Sequence, residues 1–338
     1  MTAPSDLIIK KSSKVENHSY DFCSICNSEL KKVSIKNIVK NGTTYNIYEC
    51  ENCLTSSTHP APTKEDLSKF YSSGNYRTEK GKRFNPVIEL CINFSRLLKK
   101  RRIKRYVKKG RILDVGCGRG LFLNVMKKDG WSVIGNEFND ETASSAVNVY
   151  GIEVISGNLE KSDLPSESFD VININHVLEH LHNPPEILAE CKRLLKKGGL
   201  LIVTVPDISS LQATLGKSAW IHLDVPCHLF HFSEKSLSRL LQSYSLKIMR
   251  IRRFDLEYNV FGWLQTLLNL SWVQENLLYD ILKSRNLRRE ALSNVSFRDL
   301  VLTFSLLPIY FPISIVLSVF ESLIFKKGGS VEIFALKE

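Results

Sequence analysis

Four cysteines near the start of the chain have the types and spacing of a metal site. Cys23 and Cys26 form one CxxC pair, and Cys50 and Cys53 form a second. Two such pairs can place four thiolates around one tetrahedral ion, and zinc is the metal that this ligand set favours. Because cysteine fills all four positions, we expect a closed, structural zinc site. Redox chemistry and a degenerate site are the alternatives.

A glycine-rich segment predicts a second kind of chemistry, the binding of a small organic ligand. Asp114 follows an apolar run and precedes Gly116, Gly118 and Gly120, after which a helical pattern starts at Leu121. Glycines at such a turn let backbone amides approach a ligand closely. A dinucleotide fingerprint would need glycine where this chain has Leu121, and no Lys-Ser/Thr pair completes a P-loop. Asp114 instead offers a carboxylate to an ammonium group.

Polar residues also end the next three apolar runs. Glu137 can accept hydrogen bonds from both hydroxyls of a ribose, and Asn158 with Leu159 can border an adenine. Asn175 ends the fourth run. The carboxyl ends of parallel strands meet at one edge of a sheet, where ligands bind, so the pattern favours a nucleoside-type ligand.

Histidines and an aspartate cluster farther along the chain. His222, Asp224 and His228 stand on one short segment before a helical pattern that Ser233 caps. An imidazole beside a carboxylate can act as a general base. We predict that His228 or His222 takes a proton from an acceptor and that Asp224 orients it. The alternative is that these side chains only hold the loop by hydrogen bonds.

His176 begins the sequence HVLEH, which matches the zinc-protease pattern HxxEH. That pattern belongs on a helix, whereas here it straddles the end of an apolar run, so the protease interpretation is excluded. We keep His176 as a further catalytic candidate. Glu179 and His180 are assigned to stabilising the loop, with a divalent-ion site as the alternative.

The elements that must position these residues alternate between strands and helices. Short apolar runs separated by helical patterns indicate βαβ units and a parallel sheet with helices on both faces. The predicted strands are 112–115, 132–136, 152–156, 169–175, 200–205, 246–252 and 330–336, and the predicted helices are 121–128, 140–150, 185–197 and 233–244. In the cysteine-rich segment, the runs 33–39 and 43–48 straddle an Asn-Gly turn and predict a hairpin.

Together these motifs resemble the class I, seven-stranded S-adenosylmethionine-dependent methyltransferases. The segment LDVGCGRG is similar to their first motif. Residues 168–207 resemble the fourth to fifth strands of small-molecule members, including the ubiquinone-biosynthesis type. The resemblance covers about residues 70–250 and implies an α/β, Rossmann-like, mostly parallel sheet that binds S-adenosyl-L-methionine.

The resemblance also assigns roles to the residues at the strand ends. It implies that Asp114, Gly116, Gly118 and Gly120 flank the methionine moiety, that Glu137 binds the ribose, that Asn158 and Leu159 border the adenine, and that Asn175 lines the sulfonium pocket. The segment around His228 is similar to a D-x-P-R-H-x-x-x-F pattern of methyltransferases associated with cell-surface sugars and natural products. Cys227 stands where that pattern has arginine.

The function implied is methyl transfer, at oxygen, to a small-molecule, sugar or lipid-linked glycan acceptor. An RNA methyltransferase and a non-catalytic cofactor-binding scaffold are the alternatives. Neither an N/D-P-P-Y motif nor a Pro-Cys motif follows the fourth strand, which disfavours nucleic acid as a partner.

Charge and composition set limits on the partners. The chain has 338 residues, 43% of them hydrophobic, with a formal net charge of +11. Such a charge allows a polyanionic partner, including an anionic membrane surface. The start of the chain has no signal-peptide core, and the cysteine spacing fits metal better than disulfides, so we expect a cytoplasmic protein. The basic run 99–111 predicts either the solvated face of an amphipathic helix or an anion-binding face.

The predicted domains are a disordered tail (1–20), a zinc ribbon (21–60), a linker with the basic helical segment (61–110), a catalytic domain (111–253), an apolar helical insertion (254–329) and a final strand (330–338). The tract 301–320 is uncharged and long enough to span a bilayer. One span is topologically impossible if both flanking strands pair in one sheet. The insertion is therefore predicted to form a buried lid or oligomer surface, to dock on a membrane, or to insert as a hairpin. Pro308 and Pro312 favour a bent, shallow element.

Overall fold

The structure is a computed structural model that describes residues 22–40, 42–63, 84, 86–283, 288–289, 292–293 and 295–338. The predicted tail 1–20 and much of the predicted linker lie outside the described residues. The strands are β1 (Lys32–Lys40), β2 (Thr43–Glu49), β3 (Ser56–His59), β4 (Arg111–Val115), β5 (Ser132–Glu137), β6 (Glu153–Ser156), β7 (Phe169–Asn175), β8 (Leu195–Pro206), β9 (Phe230–His231), β10 (Leu246–Arg252) and β11 (Ser330–Lys337).

A seven-stranded sheet in the order β10-β11-β8-β7-β4-β5-β6 forms the centre of the fold. Strands β4 to β8 pair in parallel, and β11 pairs antiparallel with both β8 and β10. The apolar runs of β4 and β7 are fully buried, which is expected of parallel strands covered on both faces. This confirms the predicted Rossmann-like α/β fold.

Nine described helices surround or extend the sheets. They are α1 (Pro86–Ile103), α2 (Leu121–Lys128), α3 (Asp140–Tyr150), α4 (Pro184–Leu194), α5 (Leu211–Gly216), α6 (Glu234–Ser243), α7 (Gly262–Leu270), α8 (Leu277–Leu282) and α9 (Phe297–Phe320). Local caps set several of their ends. The side chains of Asn139 and Ser233 accept backbone N–H bonds at the starts of α3 and α6, and Gly151 ends α3 in the left-handed conformation.

One predicted boundary is wrong at the junction of α4 and β8. The helix predicted over 185–197 ends at Leu194, and Gly198-Gly199 lies inside β8 instead of stopping the helix. Leu195 already pairs with Phe169 of β7, and the register of that pair shifts before Val171. Gly198 has a φ of 71°, so it can accommodate the irregularity that lets the strand begin early.

The basic run 99–111 does not form one amphipathic helix either. Helix α1 ends at Ile103, and β4 begins at Arg111. Lys99 is only 7% exposed, and its Nζ atom lies 3.5 Å from Oε1 of Glu332 on β11. Arg102 reaches the other carboxylate oxygen at 3.3 Å. Part of the run therefore faces the interior because a buried carboxylate attracts it.

The cysteine-rich segment shares a sheet with residues of the predicted catalytic domain. Strands β1, β2 and β3 are joined by β9, through pairs such as Ser56 with His231. The hydroxyl of Thr58 donates to the His228 carbonyl at 2.7 Å and lies 2.9 Å from Nε2 of His231. Three of its cysteines belong to the same apolar cluster as β7 and β8. The ribbon is thus tied to the loop that carries the predicted catalytic histidines.

The insertion leaves the sheet at β10 and returns at β11. It forms α7, α8 and α9, followed by the π-helical turn Glu321–Phe325. Helix α9 continues across Pro308 and Pro312, the two prolines for which the sequence predicts a bent, shallow element.

Acid should weaken this fold through its buried histidines. Burial, together with the nearby charge of His228, lowers the pKa of His231 to about 3. The unfolded chain then binds a proton that the folded state refuses, so His231 destabilises the folded state as pH falls below about 6.5. We predict that His231→Gln, which can still hydrogen-bond Thr58, reduces the loss of melting temperature between about pH 7 and pH 5.

Thermal unfolding followed by fluorescence at both pH values measures this effect. His182→Gln, at an exposed histidine, is the matched control and should behave as the wild type. An unchanged pH dependence in His231→Gln would contradict the prediction.

Candidate active site

A cavity of about 360 Å³ opens at the carboxyl ends of β4 and β7. Helix α1, the glycine-rich loop, the end of β7 and the start of the insertion all contribute to its lining. The lining residues used below are Lys99, Asp114, Gly116, Gly118, Asn173, Asn175, His176, Thr204, Arg252, Phe254, Asp255, Tyr258 and Glu332. This position at the strand ends is where open α/β sheets bind their ligands.

The glycine-rich loop is shaped for close approach of a ligand. Gly116 and Gly118 have φ values of 68° and 56°, a region that favours glycine. A Cβ atom at Gly116 would lie 2.3 Å from Val177, so no side chain fits there. The corresponding position at Gly118 has no atom within 4 Å and faces open space. The loop is therefore packed on one side and open to a ligand on the other.

Asp114 places a buried carboxylate in this cavity. Its Oδ1 atom accepts a bond from Asn173 Nδ2 at 2.5 Å. Burial raises the pKa of Asp114 to about 6, although Asn173 and the charge of Lys99 oppose the rise. A cationic ligand group beside this carboxylate would favour its charged form. The site is thus suited to an ammonium group.

Lys99 brings a cation to the same cavity. Its Nζ atom donates to Oδ1 of Asn175 at 2.5 Å and lies 3.4 Å from the Thr204 hydroxyl. Burial lowers the pKa of Lys99, while the charges of Glu332 and Asp114 oppose that change. The sequence prediction missed Lys99 because it stands within a run of basic residues. Its spacing of three residues from Arg102 on α1 was the available signal.

Glu137 ends β5 and is buried beside the loop. Its two carboxylate oxygens accept the backbone N–H groups of Gly118 at 3.0 Å and Asn139 at 3.1 Å. A carboxylate oxygen has two lone pairs, so it can accept a ligand hydroxyl in addition to a backbone N–H. Glu137 does not line the 360 Å³ cavity but lies at the neighbouring strand end of the same sheet edge.

The predicted cofactor residues divide into those that line the cavity and those that do not. Asp114, Gly116, Gly118 and Asn175 surround the cavity, whereas Gly120, Asn158 and Leu159 do not line it. Asn158 is exposed just after β6, and Leu159 is buried in the core. The structure therefore brings three of the four predicted methionine-side residues to the cavity together with Asn175, whereas Gly120 and the two predicted adenine-side residues lie outside its lining.

Among the predicted catalytic residues, His176 lines the cavity. Its ring stacks on Tyr258, with centroids 4.0 Å apart and planes 3° from parallel. His222 also contacts Tyr258: the two ring centroids are 4.6 Å apart, and Nε2 of His222 lies 3.3 Å from the Tyr258 carbonyl. No sequence motif pointed to Tyr258, because it belongs to the insertion.

His228 and Asp224 do not line the cavity. Nδ1 of His228 donates to the His222 carbonyl at 3.0 Å, whereas its Nε2 atom is 3.8 Å from Asp224 Oδ2. The second distance is longer than a hydrogen bond, so the His222 carbonyl is the hydrogen-bond partner of the ring, and the orienting role of Asp224 stays a prediction. Burial lowers the pKa of His228 to about 4 and that of His222 to about 3. Both imidazoles are therefore neutral at pH 7.

A buried carboxylate lies among these histidines. Glu179 is 1% exposed, and Nδ1 of His176 is 3.5 Å from its Oε1 atom. Ligating atoms of Glu179, His180 and His228 all lie within 4.8 Å of one another. Burial alone would raise the pKa of Glu179, but the contact with His176 and the neighbouring histidines bring it down to about 2. The group fits either an oriented base or the divalent-ion alternative.

The four predicted metal cysteines converge in the ribbon. The Sγ atoms of Cys23 and Cys53 are 3.6 Å apart, and those of Cys26 and Cys50 are 3.5 Å apart. Tetrahedral zinc thiolates place their sulfurs about 3.8 Å apart. The two knuckles are alike, because a left-handed residue follows each CxxC pair, Asn27 in one case and Leu54 in the other.

Comparison with known proteins supports the resemblance of the cavity-bearing region. Residues 89–251 match the family model described as a methyltransferase domain. A protein of Mycolicibacterium smegmatis described as a probable S-adenosylmethionine-dependent methyltransferase is 28% identical over 132 residues, which cover 39% of this chain and 48% of that protein. A ubiquinone biosynthesis O-methyltransferase of Maricaulis maris is 35% identical over 134 residues, which cover 36% of this chain and 52% of that protein.

The chain spans about half the length of these curated relatives. A solved S-adenosylmethionine-dependent methyltransferase of Archaeoglobus fulgidus aligns with a TM-score of 0.44 and 21% identity, covering 72% of this chain and 94% of that one. The family model, over residues 89–251, includes the glycine-rich loop and the ends of β4 and β7 that line the cavity.

Proposed function

We propose that this protein transfers a methyl group from S-adenosylmethionine to an oxygen of a small-molecule, sugar or lipid-linked glycan acceptor. The observation that carries the proposal is the cavity at the ends of β4 and β7, whose glycine-rich loop and strand ends belong to residues 89–251, the segment matching a methyltransferase domain. It combines a buried carboxylate at Asp114 with a glycine loop that is open at Gly118.

The residues present fit this cofactor. Asp114 would hold its ammonium group, the open face of Gly118 would accommodate the chain next to the sulfur, and Glu137 would accept the ribose hydroxyls. Asn158 and Leu159 would border the adenine. When bound, the cofactor supplies an electrophilic methyl group on a sulfonium. The protein contributes mainly alignment, because in-line displacement depends on the position of the acceptor.

An acceptor hydroxyl must lose a proton as its oxygen is methylated. His176 is the predicted catalytic residue that lines the cavity, and the Glu179 carboxylate beside its Nδ1 atom can stabilise the imidazolium that forms. Tyr258 fixes the plane of the ring by stacking on it. In this proposal His176 is the general base. His222 contacts Tyr258, on which His176 stacks, and His228 holds His222 in place through its carbonyl.

We also infer that the four cysteines hold one structural Zn²⁺. The buried apolar residues of the ribbon belong to clusters shared with the rest of the chain and form no separate core, so the metal would supply much of the free energy that orders the ribbon. The pairing of β3 with β9 would transmit this order to the segment 220–231.

The cofactor assignment predicts a specific loss of affinity. Calorimetry should show binding of S-adenosylmethionine and S-adenosylhomocysteine to the wild type, weakened about 10- to 100-fold in Glu137→Ala, because charged hydrogen bonds to the ribose are removed. Glu153→Ala, at an exposed carboxylate on β6, is the matched control and should bind normally. Failure of folded wild type to bind either compound would overturn the proposal.

The role of His176 predicts a loss of turnover with binding retained. In His176→Asn we expect cofactor affinity within about threefold of wild type and methyl transfer reduced about 100-fold or more. Transfer of labelled methyl from S-adenosylmethionine into heat-treated polar and lipid extracts provides the assay. His182→Asn is the control.

Equal labelling by wild type and His176→Asn would exclude His176 as the base. Cofactor binding without labelling of any extract by the wild type would favour the non-catalytic scaffold.

The zinc site predicts a metal content of about one ion per chain by mass spectrometry. Cys50→Ser should lose most of the zinc and melt at a lower temperature, because the ribbon loses a ligand. Cys91→Ser, at an exposed cysteine on α1, should retain both properties. Wild-type protein that is fully folded without zinc would refute the structural role.

A further inference from the structure

We propose that α9 and the turn after it dock the protein on the surface of an anionic membrane. The docking surface consists of the exposed apolar side chains of this segment, among them Phe304, Phe311, Val316, Phe320 and Ile324. Among the described residues, Phe297–Phe325 is the helical segment long and apolar enough to cross a bilayer, with a mean hydropathy of 2.2 over its most apolar window. Only 11% of that window is buried in the protein.

The polarity of α9 is reversed relative to a helix packed in water. Thr303, Ser314 and Ser318 are its fully buried residues, whereas Phe311 is 51% and Val316 is 66% exposed. The two serines satisfy their hydroxyls internally, since Ser314 donates to the Tyr310 carbonyl and Ser318 to the Ser314 carbonyl. A helix at a protein–water boundary normally turns its apolar stripe inward. This arrangement indicates an apolar medium on the outside.

Contacts at two places hold α9 and the turn after it against the rest of the protein. The buried carboxylate of Glu321 accepts the backbone N–H of Leu211 at 2.5 Å and Nε1 of Trp263 at 2.8 Å. Near the middle of α9, the Tyr310 hydroxyl lies 2.8 Å from the Ser271 hydroxyl, which joins α9 to the end of α7. Both flanking strands pair in the central sheet. A segment held in this way can enter only the interfacial layer, with its outer side in the lipid.

The charges around the segment favour anionic lipid over a second copy of the chain. Arg298 and Lys326 are exposed at its two ends, whereas its acidic residues Asp299 and Glu321 are partly and fully buried, and no charged residue lies in 300–320. Antiparallel pairing of two copies would bring these cations together, whereas an anionic bilayer would neutralise both. Trp272 is 85% exposed next to Ser271, a position suited to an interfacial anchor.

Docking would place the cavity near the lipid. Phe254, Asp255 and Tyr258 line the cavity and belong to the first residues of the insertion. An acceptor with an apolar anchor in the bilayer could then present its polar group to His176. This last step rests on the proposed function, whereas the docking itself does not.

Flotation of the full chain with lipid vesicles tests the proposal. We expect binding to phosphatidylcholine vesicles containing about one-third phosphatidylglycerol, and binding at least about 10-fold weaker to phosphatidylcholine alone. Val316→Glu should reduce binding to the mixed vesicles by about 10-fold or more, because it places a charge on the docking surface. Val39→Glu, at a valine on β1 that is 64% exposed, is the matched control and should float as the wild type does.

Two outcomes would overturn the proposal. One is equal binding of Val316→Glu and Val39→Glu to the mixed vesicles. The other is the absence of vesicle binding by the wild type; a dimer in light scattering that Val316→Glu converts to a monomer would then identify the surface as a subunit interface. Calorimetry of S-adenosylmethionine on Val316→Glu, expected to match the wild type, separates a failure of docking from a failure of the proposed function.

Discussion

The buried carboxylate of Glu332 joins the parts of the molecule that must meet at the cavity. It lies on β11, the strand that closes the sheet between β8 and β10. Lys99 and Arg102 from α1 reach it at 3.5 and 3.3 Å, and Arg252 from β10 reaches it at 3.6 Å. Removing one partner from such a buried group leaves uncompensated charge, so these elements are held together as a unit. The same contacts of Glu332 therefore position α1, which lines the cavity, and the two strands from which the insertion leaves and to which it returns.

A second polar centre connects the cavity with the ribbon. Glu179 lies beside His176, which lines the cavity, and it is also close to His180 and His228. The segment carrying His228 continues into β9, which pairs with β3 of the ribbon. The cysteine cluster and the cavity are therefore linked by a short, buried chain of contacts. Through these contacts, the order of the ribbon can affect the positions of His228, Glu179 and His176.

Much of the local structure followed from patterns in the chain. The strands Phe169–Asn175 and Leu246–Arg252 and the helix Asp140–Tyr150 have the predicted bounds, because apolar periodicity and caps act over a few residues. The α4–β8 junction was misplaced, since a register shift between two strands overrode the local glycine signal. The basic run was also misinterpreted, because the attraction of Lys99 to Glu332 joins residues far apart in the chain.

The sequence by itself determined the α/β fold class, the glycine-rich loop, and the two CxxC pairs, because each depends on residue types at short, regular spacing. Tertiary structure alone decided that Tyr258 stacks on His176, that His228 approaches Glu179, and that β9 extends the ribbon sheet. It also decided that α9 turns its polar residues inward. These features depend on where distant segments pack once β11 closes the sheet, and such long-range closure leaves no periodic signal in the chain.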